Sequence, residues 1–376
     1  MRLICICLSL VLVVAVGTTA GEGVISVGVV LPLSGHTANF GTEALRGINL
    51  ATETVNAEGG IRDRQLKLIV RDNAADPAKT SREVSELVTR EGVIAVVGPI
   101  TSTCAAAAAA VAQEASTPLI LPTATTPYVT EIGHYICRIC FTDPFQSKVL
   151  AEFSRNSLKA DRVAVIYEIG SSYSEKLAEF YTMRFEEQGG RVVFQKGVGP
   201  SHEQLRAAVD QAIAENPHVL FAPVYYPEAA VIIERMHELE SPVTLLGADG
   251  WESTELFRIA GEHIRPNRIY ISSHFSIEYQ RQRRSSFVQR FQQTYSEPPN
   301  AISALGYDAV MVLADALRRA TMVDRQGLRQ AIVSTNDFPG VTGTISINEK
   351  RNVIKDVFIL KAEHDRFVHE TTISMF

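Results

Sequence analysis

Hydroxyl side chains stand at two places where a predicted strand gives way to a loop. Ser102 follows a strand that ends at Val97 and opens a predicted helix, and Thr123 and Thr125 follow a strand that ends at Leu121. A helix start carries free N–H groups and a partial positive charge, so Ser102 can either cap the helix or help to bind a carboxylate. A threonine-rich loop by itself is mostly only a loop. Together the two places predict an anion site, with helix capping as the alternative.

Three side chains from the second half of the chain complement these hydroxyls. Tyr173 precedes a predicted helix, Tyr225 follows a predicted strand, and Asp249 begins an Asp-Gly pair after another strand. The tyrosine rings can wall a pocket or pack in a core, and Asp249 can pair with an ammonium group or form a turn. Anion donors on one side and an acid on the other suit a zwitterion, since both of its charges need partners once water is removed. The expected ligand is a free amino acid or a close analogue.

Known signatures of catalysis are absent from the sequence. It has no G-x-S-x-G elbow, no phosphate-binding P-loop and no G-x-G-x-x-G after a strand. The nine histidines are scattered, and no H-E-x-x-H zinc motif occurs. We therefore expect a binding protein that is not an enzyme and that uses neither a cofactor nor a metal.

Cys137 and Cys140 form a C-x-x-C pair, which elsewhere can be a redox motif or half of a metal site. Their surroundings predict a strand, and on a strand residues three apart point to opposite faces. We interpret both as buried small apolar residues. A disulfide that involves them or Cys104 stays open, because an exported protein can form one.

The elements that must position these residues alternate between strand and helix along the chain. Predicted strands of a first series lie at 24–31, 66–70, 93–97 and 118–121, and a second series begins at Asp143-Pro144. Such alternation predicts parallel sheets with helices on both faces. Ligands of these sheets bind at the carboxyl ends of the strands, where the candidate residues stand. No long Pro/Gly/Ser linker separates the two series, so we expect several short crossings between them.

Composition and charge narrow the class of protein. The 376 residues are 46% hydrophobic and 21% charged, an ordinary globular mixture that is long enough for two domains. The net charge is −6 and no basic run occurs, so we expect no nucleic-acid partner.

The first twenty residues have the layout of a secretory signal peptide. Arg2 precedes an apolar stretch from Leu3 to Val16, and small residues lead to Ala20, where we expect cleavage. That stretch is shorter than the ~20 residues that span a bilayer, and no later segment is long and apolar enough. The mature protein is expected to be soluble and exported to the periplasm.

Several motifs resemble those of the branched-chain amino-acid binding proteins of ABC transporters. They occur in the family's order and spacing, over nearly all of the mature chain, at Val27–Gly35, Gly59–Ile61, Arg138–Gln146, Tyr225–Glu228 and Gly306–Ala309. The resemblance implies an α/β fold of two Rossmann-like, doubly wound lobes that are joined by a three-strand hinge and close on a ligand cleft. The implied N-terminal lobe comprises residues 24–142 plus 273–350, and the C-terminal lobe comprises 143–272 plus 351–376.

The resemblance also implies roles at the ligand. Carried over by position, Ser102 and Thr125 bind the carboxylate through hydroxyl and backbone N–H groups. The Thr123 carbonyl and the Asp249 carboxylate bind the ammonium group. The residues that match pocket-lining aromatics are Phe40, Tyr173 and Tyr225.

The chain departs from the family pattern at several positions. Cysteines that form a disulfide in well-known members are missing near Ala75 and Thr101. Ala304 falls where a pocket aromatic is often found, which implies a larger side-chain pocket, and Asp249 replaces a longer acid. The ligand's side chain therefore stays open among aliphatic and other amino acids, amides and aromatic acids.

The function expected from the resemblance is a monomeric receptor that delivers its ligand to the permease of an ABC transporter. A ligand sensor of the same fold, for an amide or an amino acid, is the alternative. A sensory receptor would need a later membrane segment or signalling domain, and a cytoplasmic regulator would lack the signal peptide.

Overall fold

The structure is a computed structural model that describes residues 23–283 and 285–374. The predicted signal peptide, residues 1–20, lies outside the described residues. Within them the strands form a five-stranded sheet, a seven-stranded sheet and a small two-stranded sheet. No helix in this part of the chain is both long and apolar enough to cross a membrane.

The first sheet is built from the amino-terminal part of the chain. Its strands are β1 (Val24–Leu31), β2 (Gln65–Asp72), β3 (Ala95–Val97), β4 (Leu119–Leu121) and β5 (Ile136–Arg138). All pair in parallel, in the order β2-β1-β3-β4-β5. The helices that follow its strands are α1 (Ala38–Ala57), α2 (Pro77–Thr89), α3 (Ser102–Glu114) and α4 (Tyr128–Glu131).

The second sheet takes its strands from the middle and the end of the chain. They are β6 (Arg162–Glu168), β7 (Arg191–Val198), β8 (Val219–Phe221), β9 (Thr244–Leu246), β10 (Ile269–Ser273), β13 (Val357–Ala362) and β14 (Phe367–Ile373). The order is β14-β13-β10-β9-β8-β6-β7, and only β13 runs against the other strands, so that it pairs antiparallel with both β10 and β14. The associated helices are α5 (Asp143–Asn156), α6 (Ser172–Glu187), α7 (His202–Ala214), α8 (Tyr226–Glu238) and α9 (Thr254–Ala260).

The remaining elements return the chain to the first sheet. They are α10 (Ile277–Gln282), α11 (Ser286–Tyr295), α12 (Ala301–Arg319), α13 (Arg325–Val333) and the hairpin strands β11 (Phe338–Gly340) and β12 (Gly343–Ile345). Helix α12 packs against α1. Each large sheet with its helices forms one layer of the molecule. Among the described residues the chain passes between the two layers three times, through 139–142, 274–276 and 346–356. The exact lobe boundaries stay predictions; those expected at residues 142, 272 and 350 fall in or beside these passages.

Local sequence explains why the elements start and pack as they do. Asp76 caps α2 by accepting a hydrogen bond from the Lys79 N–H, and Pro77 occupies the first turn. In α3 the alanine run lets the helix lie close to its neighbours, and Ala105, Ala108 and Ala109 are fully buried. These features position the helix start that carries Ser102.

The sequence predicts one helix from Tyr279 to Tyr295, but the structure has two, α10 and α11. Ser285, the residue before α11, has extended backbone with ψ of 121°, which interrupts the helical path. Serine competes for backbone hydrogen bonds and prefers helix ends, so the predicted continuous helix was wrong.

Candidate ligand-binding site

A small cavity lies where the carboxyl ends of strands from both sheets meet. Six of the seven predicted ligand residues line it: Phe40, Ser102, Thr123, Tyr173, Tyr225 and Asp249. The other residues of the wall are Ile100, Gly250 and Ile302. Thr125 is fully buried but is not part of the cavity wall. A larger cavity, lined in part by Glu252 and Phe275, contains none of the predicted residues. The smaller cavity is the candidate because it brings the expected anion and cation partners together.

One wall of the cavity is the amino-terminal end of α3. The capping position is occupied by Thr101, whose side chain makes no capping hydrogen bond, and the first backbone bond of the helix runs from the Ala105 N–H to the Thr101 carbonyl. The N–H groups of Ser102 and Thr103 therefore precede the helix's own hydrogen-bond ladder. Ser102 is not the helix cap, so the capping alternative was wrong. These N–H groups and the Ser102 hydroxyl can bind a carboxylate.

The threonine loop after β4 is held against this helix start. The Thr123 hydroxyl donates to the Ile100 carbonyl at 2.7 Å, and the Thr126 N–H donates to Ser102 Oγ at 3.4 Å. The Thr125 hydroxyl is buried without a partner among the described residues. Because the Thr123 hydroxyl is already used between the loops, its carbonyl is the group left for a ligand.

Asp249 stands on the opposite side of the cavity and is 9% exposed. Its Oδ1 accepts the Tyr173 hydroxyl proton at 2.9 Å, and its Oδ2 lies 3.3 Å from His274 Nε2. The Asp249 N–H donates to Gln146 Oε1 at 3.2 Å. Among the described residues no lysine or arginine forms an ion pair with this carboxylate. A buried carboxylate held by neutral groups is a ready partner for a ligand cation.

Sequence reasoning missed His274 and Gln146. His274 is buried, stacks on Phe141 with ring centroids 3.5 Å apart, and has its pKa lowered to about 4 by burial, against the opposing effect of Asp249. It is therefore neutral. His274 directly follows β10, and β10 ends at the same sheet edge as the strand before Asp249, so its position was an available signal. Gln146, in the first turn of α5, does not follow a strand and gave no such signal.

Aromatic rings form the walls between the two charged ends. Tyr173 and Tyr225 stack with centroids 5.0 Å apart, and Phe40 meets Tyr225 edge-to-face at 5.9 Å. Burial raises the pKa of both tyrosines well above the usual value, so their hydroxyls keep their protons. The rings offer an apolar, neutral surface to a ligand's side chain.

Ile302, in the first turn of α12, closes the side-chain end of the cavity. Ala304 was expected to enlarge the pocket, but it is fully buried and is not part of the wall, so this expectation was wrong. Two positions along a helix turn the side chain by about 200°, which separates Ala304 from the face that Ile302 presents.

Hydrogen bonds join the two layers around the cavity. Thr103 Oγ1 and Ser172 Oγ are 3.1 Å apart, which links the starts of α3 and α6. The Ser253 hydroxyl donates to Asn39 Oδ1 at 2.8 Å. These two hydrogen bonds therefore join the two layers directly, close in sequence to residues of the cavity wall.

The described residues include three free cysteines and no candidate metal site. Cys104, Cys137 and Cys140 are buried and free. Burial raises the pKa of the Cys137 and Cys140 thiols to about 12, which makes them poor nucleophiles. Within the ranges 23–283 and 285–374 no cluster of three or more His, Cys, Asp or Glu residues could hold a metal ion.

Comparison with known proteins defines the class that this fold and site represent. A family model described as "Periplasmic binding protein" matches residues 24–366, so the chain belongs to this family. It has the two-lobed α/β fold of type I periplasmic binding proteins. Members of the family are solute-binding proteins of ABC transporters; they are not enzymes, and neither is this chain.

Individual relatives narrow the comparison to amino-acid binding proteins. The chain is 25% identical over 338 residues to the Leu/Ile/Val-binding protein BraC3 of Rhizobium johnstonii, which covers 89% of this chain and 90% of that protein. The branched-chain amino acid substrate-binding protein LivJ of Streptococcus pneumoniae, solved with isoleucine, is 28% identical with a TM-score of 0.87. The leucine-binding protein LivK of Thermotoga maritima is 29% identical with a TM-score of 0.86. Each alignment to these two structures covers 94% of this chain and 99% of theirs.

Proposed function

We propose that this protein is the periplasmic receptor of an amino-acid importer. It binds a free amino acid with an aliphatic side chain in the cavity between its two lobes, and it delivers the ligand to the permease of an ABC transporter. The α-ammonium group pairs with Asp249, and the α-carboxylate is bound at the start of α3 by Ser102 and the threonine loop.

The observation that carries the proposal is the set of charged and polar groups that face the cavity. Asp249 is buried, its two oxygens are held by a tyrosine hydroxyl and a neutral histidine, and no cation of the described residues pairs with it. Across the cavity the uncapped start of α3 offers N–H donors. An uncharged ligand would leave Asp249 unpaired, and a simple carboxylic acid would bring a second negative charge beside it. An amino acid satisfies both ends.

Size and polarity favour an aliphatic side chain. The cavity is small, and the apolar side chains of Phe40, Ile100 and Ile302 line it. The relatives BraC3 and LivJ, named for leucine, isoleucine and valine or for branched-chain amino acids, support the same choice. No charged side chain other than that of Asp249 lines this cavity, so a basic or acidic amino acid would bury an unpaired charge.

Titration of the purified mature protein with each standard amino acid tests the ligand class. Trp251, the only tryptophan, lies two residues from Asp249 and is fully buried, so lobe closure should change its fluorescence. We expect saturable binding of leucine, isoleucine or valine and much weaker binding of benzoate and of amides. Tight benzoate binding without amino-acid binding would exclude the assigned ammonium site.

Delivery to a permease is tested separately from binding. We expect deletion of the gene to abolish high-affinity uptake of the labelled ligand, and expression of the full-length protein to restore it. The mature protein should be recovered from the periplasmic fraction as a monomer. Binding without any uptake defect would favour the sensor alternative.

A further inference from the structure

His274 contacts the acidic end of the cavity without lining it. Its Nε2 is 3.3 Å from Asp249 Oδ2, and the residue is 1% exposed. It lies in the second passage between the layers, directly after β10. Tyr173 donates to the other carboxylate oxygen, so each oxygen of Asp249 has one neutral neighbour.

Geometry decides which nitrogen of His274 carries the proton. Nδ1 is buried and has no hydrogen-bond partner among the described residues. An N–H at that position would be buried and unpaired, which is costly, whereas a bare ring nitrogen there costs less. The ring therefore carries its proton on Nε2 and donates it to Asp249. This neutral form agrees with the lowered pKa of the buried ring.

The ring of His274 and the backbone of Asp249 are both held in place. His274 stacks on Phe141, which lies in the first passage between the layers, with an interplanar angle of 26°. Gln146 Oε1 accepts hydrogen bonds from the Asp249 N–H and from the Ser272 hydroxyl. Neither the ring nor the loop can turn without breaking these contacts.

We propose that His274 is a positioning residue that orients the Asp249 carboxylate toward the ligand ammonium while leaving its negative charge unpaired. This inference rests on the proposed function. An arginine or lysine in its place would neutralise Asp249 and compete with the ligand. A residue without a donor would leave Oδ2 free of its partner, so the carboxylate would be less well oriented for an ammonium group.

Binding of matched ligands separates this role from general support of the fold. Leucine and 4-methylpentanoate differ only in the amino group. The Kd of 4-methylpentanoate divided by the Kd of leucine therefore measures what the ammonium group contributes to binding. His274→Phe keeps the stack on Phe141 and removes the donor, whereas His274→Gln restores an N–H donor. We expect His274→Phe to reduce the ratio about tenfold through weaker leucine binding, and His274→Gln to recover most of it. Calorimetry, with competition for the weaker ligand, provides both constants.

A matched control and a second variant keep the test decisive. His369→Phe alters a histidine on β14 that bonds to Thr372 outside the cavity, and it should leave the ratio unchanged. If His274→Phe does not fold, His274→Leu gives the same comparison. If His274→Phe leaves the ratio unchanged, whether or not both ligands bind more weakly, the role of His274 is overturned and the proposed function is not. Failure of the wild-type protein to bind any amino acid would instead overturn the proposed function.

Discussion

The ring of Phe40 meets the ring of Tyr226 edge-to-face, with centroids 5.0 Å apart, across the two layers of the molecule. Phe40 lies on α1 beside the first sheet, and Tyr226 begins α8 beside the second. The Tyr226 hydroxyl also donates to the His36 carbonyl at 3.0 Å. This pair joins the two layers beside the cavity, of which Phe40 forms part of the wall.

The Tyr226 hydroxyl should stabilise the closed form. Tyr226→Phe removes one hydrogen bond between the layers, and we expect ligand affinity to fall about fivefold, mainly through faster dissociation. Stopped-flow fluorescence measures both rates. Tyr295→Phe is the control, because its hydroxyl donates to the Arg46 carbonyl at 2.9 Å within the first layer. Equal effects of both variants on dissociation would show that the bond to His36 does not hold the lobes together.

Ile302 should set the size of side chain that the cavity accepts. Ile302→Ala removes apolar contacts from one end of the cavity, and we expect leucine or isoleucine binding to weaken by about 1–3 kcal/mol while phenylalanine binding improves. The measurement is the Kd of leucine or isoleucine divided by the Kd of phenylalanine. Ile332→Ala makes the same change at a buried position of α13 outside the cavity. It should lower stability and leave the ratio alone; a ratio that stays constant in Ile302→Ala would remove Ile302 from the pocket.

Buried acids should make the protein more stable in mild acid than in mild base. Burial raises the pKa of four carboxyl groups to about 7, those of Glu43, Asp143, Glu228 and Glu252. Between their ordinary pKa values and about 7 the folded protein holds more protons than the unfolded chain, so the free energy of unfolding falls as pH rises. Burial also lowers the pKa values of His274 and His36; these two groups oppose the effect in the same range but are outnumbered by the four acids.

Thermal unfolding across this range checks the sign. We expect a higher Tm at about pH 5.5 than at about pH 8. Glu252→Gln should reduce the difference, because the amide oxygen can still accept the Ala301 N–H bond without a titrating proton. Glu262→Gln, at an exposed position, should not. A Tm that rises steadily with pH would contradict the assigned direction.

Close packing of α1 on α12 should couple stability to the cavity. A Cβ at Gly47 would lie 1.8 Å from the Ser303 carbonyl oxygen, next to Ile302. Gly47→Ala therefore has to push the helices apart, and we expect a loss of at least about 1–3 kcal/mol of unfolding free energy together with weaker ligand binding. In Gly199→Ala the nearest atom would be 3.7 Å away, so denaturant unfolding should be nearly unchanged. Wild-type stability of Gly47→Ala would show that the helices can separate freely.

The sequence predicted the strand-helix alternation and most of the site because both depend on local patterns. Buried strands such as β1 and the capped start of α2 are readable from neighbouring residues. Ser102, Thr123, Tyr225 and Asp249 could be predicted to lie near one another because parallel strands bring their carboxyl ends together, and all four line the candidate cavity.

The features that sequence reasoning missed depend on packing between distant segments. Which residue of α12 faces the cavity depends on the rotation of that helix against α1, so Ala304 was chosen where Ile302 lines the wall. His274 and Gln146 act on Asp249 through contacts that span 25 and 103 residues of sequence. Thr125 was expected at the ligand, but the fold of its loop keeps it out of the cavity wall.

The affinity of the Asp249→Asn variant tests the central claim most directly, because asparagine keeps the shape of the side chain and removes its charge. Loss of a buried charge partner should weaken leucine binding by about 2–5 kcal/mol. Binding of 4-methylpentanoate should be unchanged or stronger, since it has no ammonium group to pair. If calorimetry gives the same leucine affinity for this variant as for the wild-type protein, Asp249 does not bind the ammonium group.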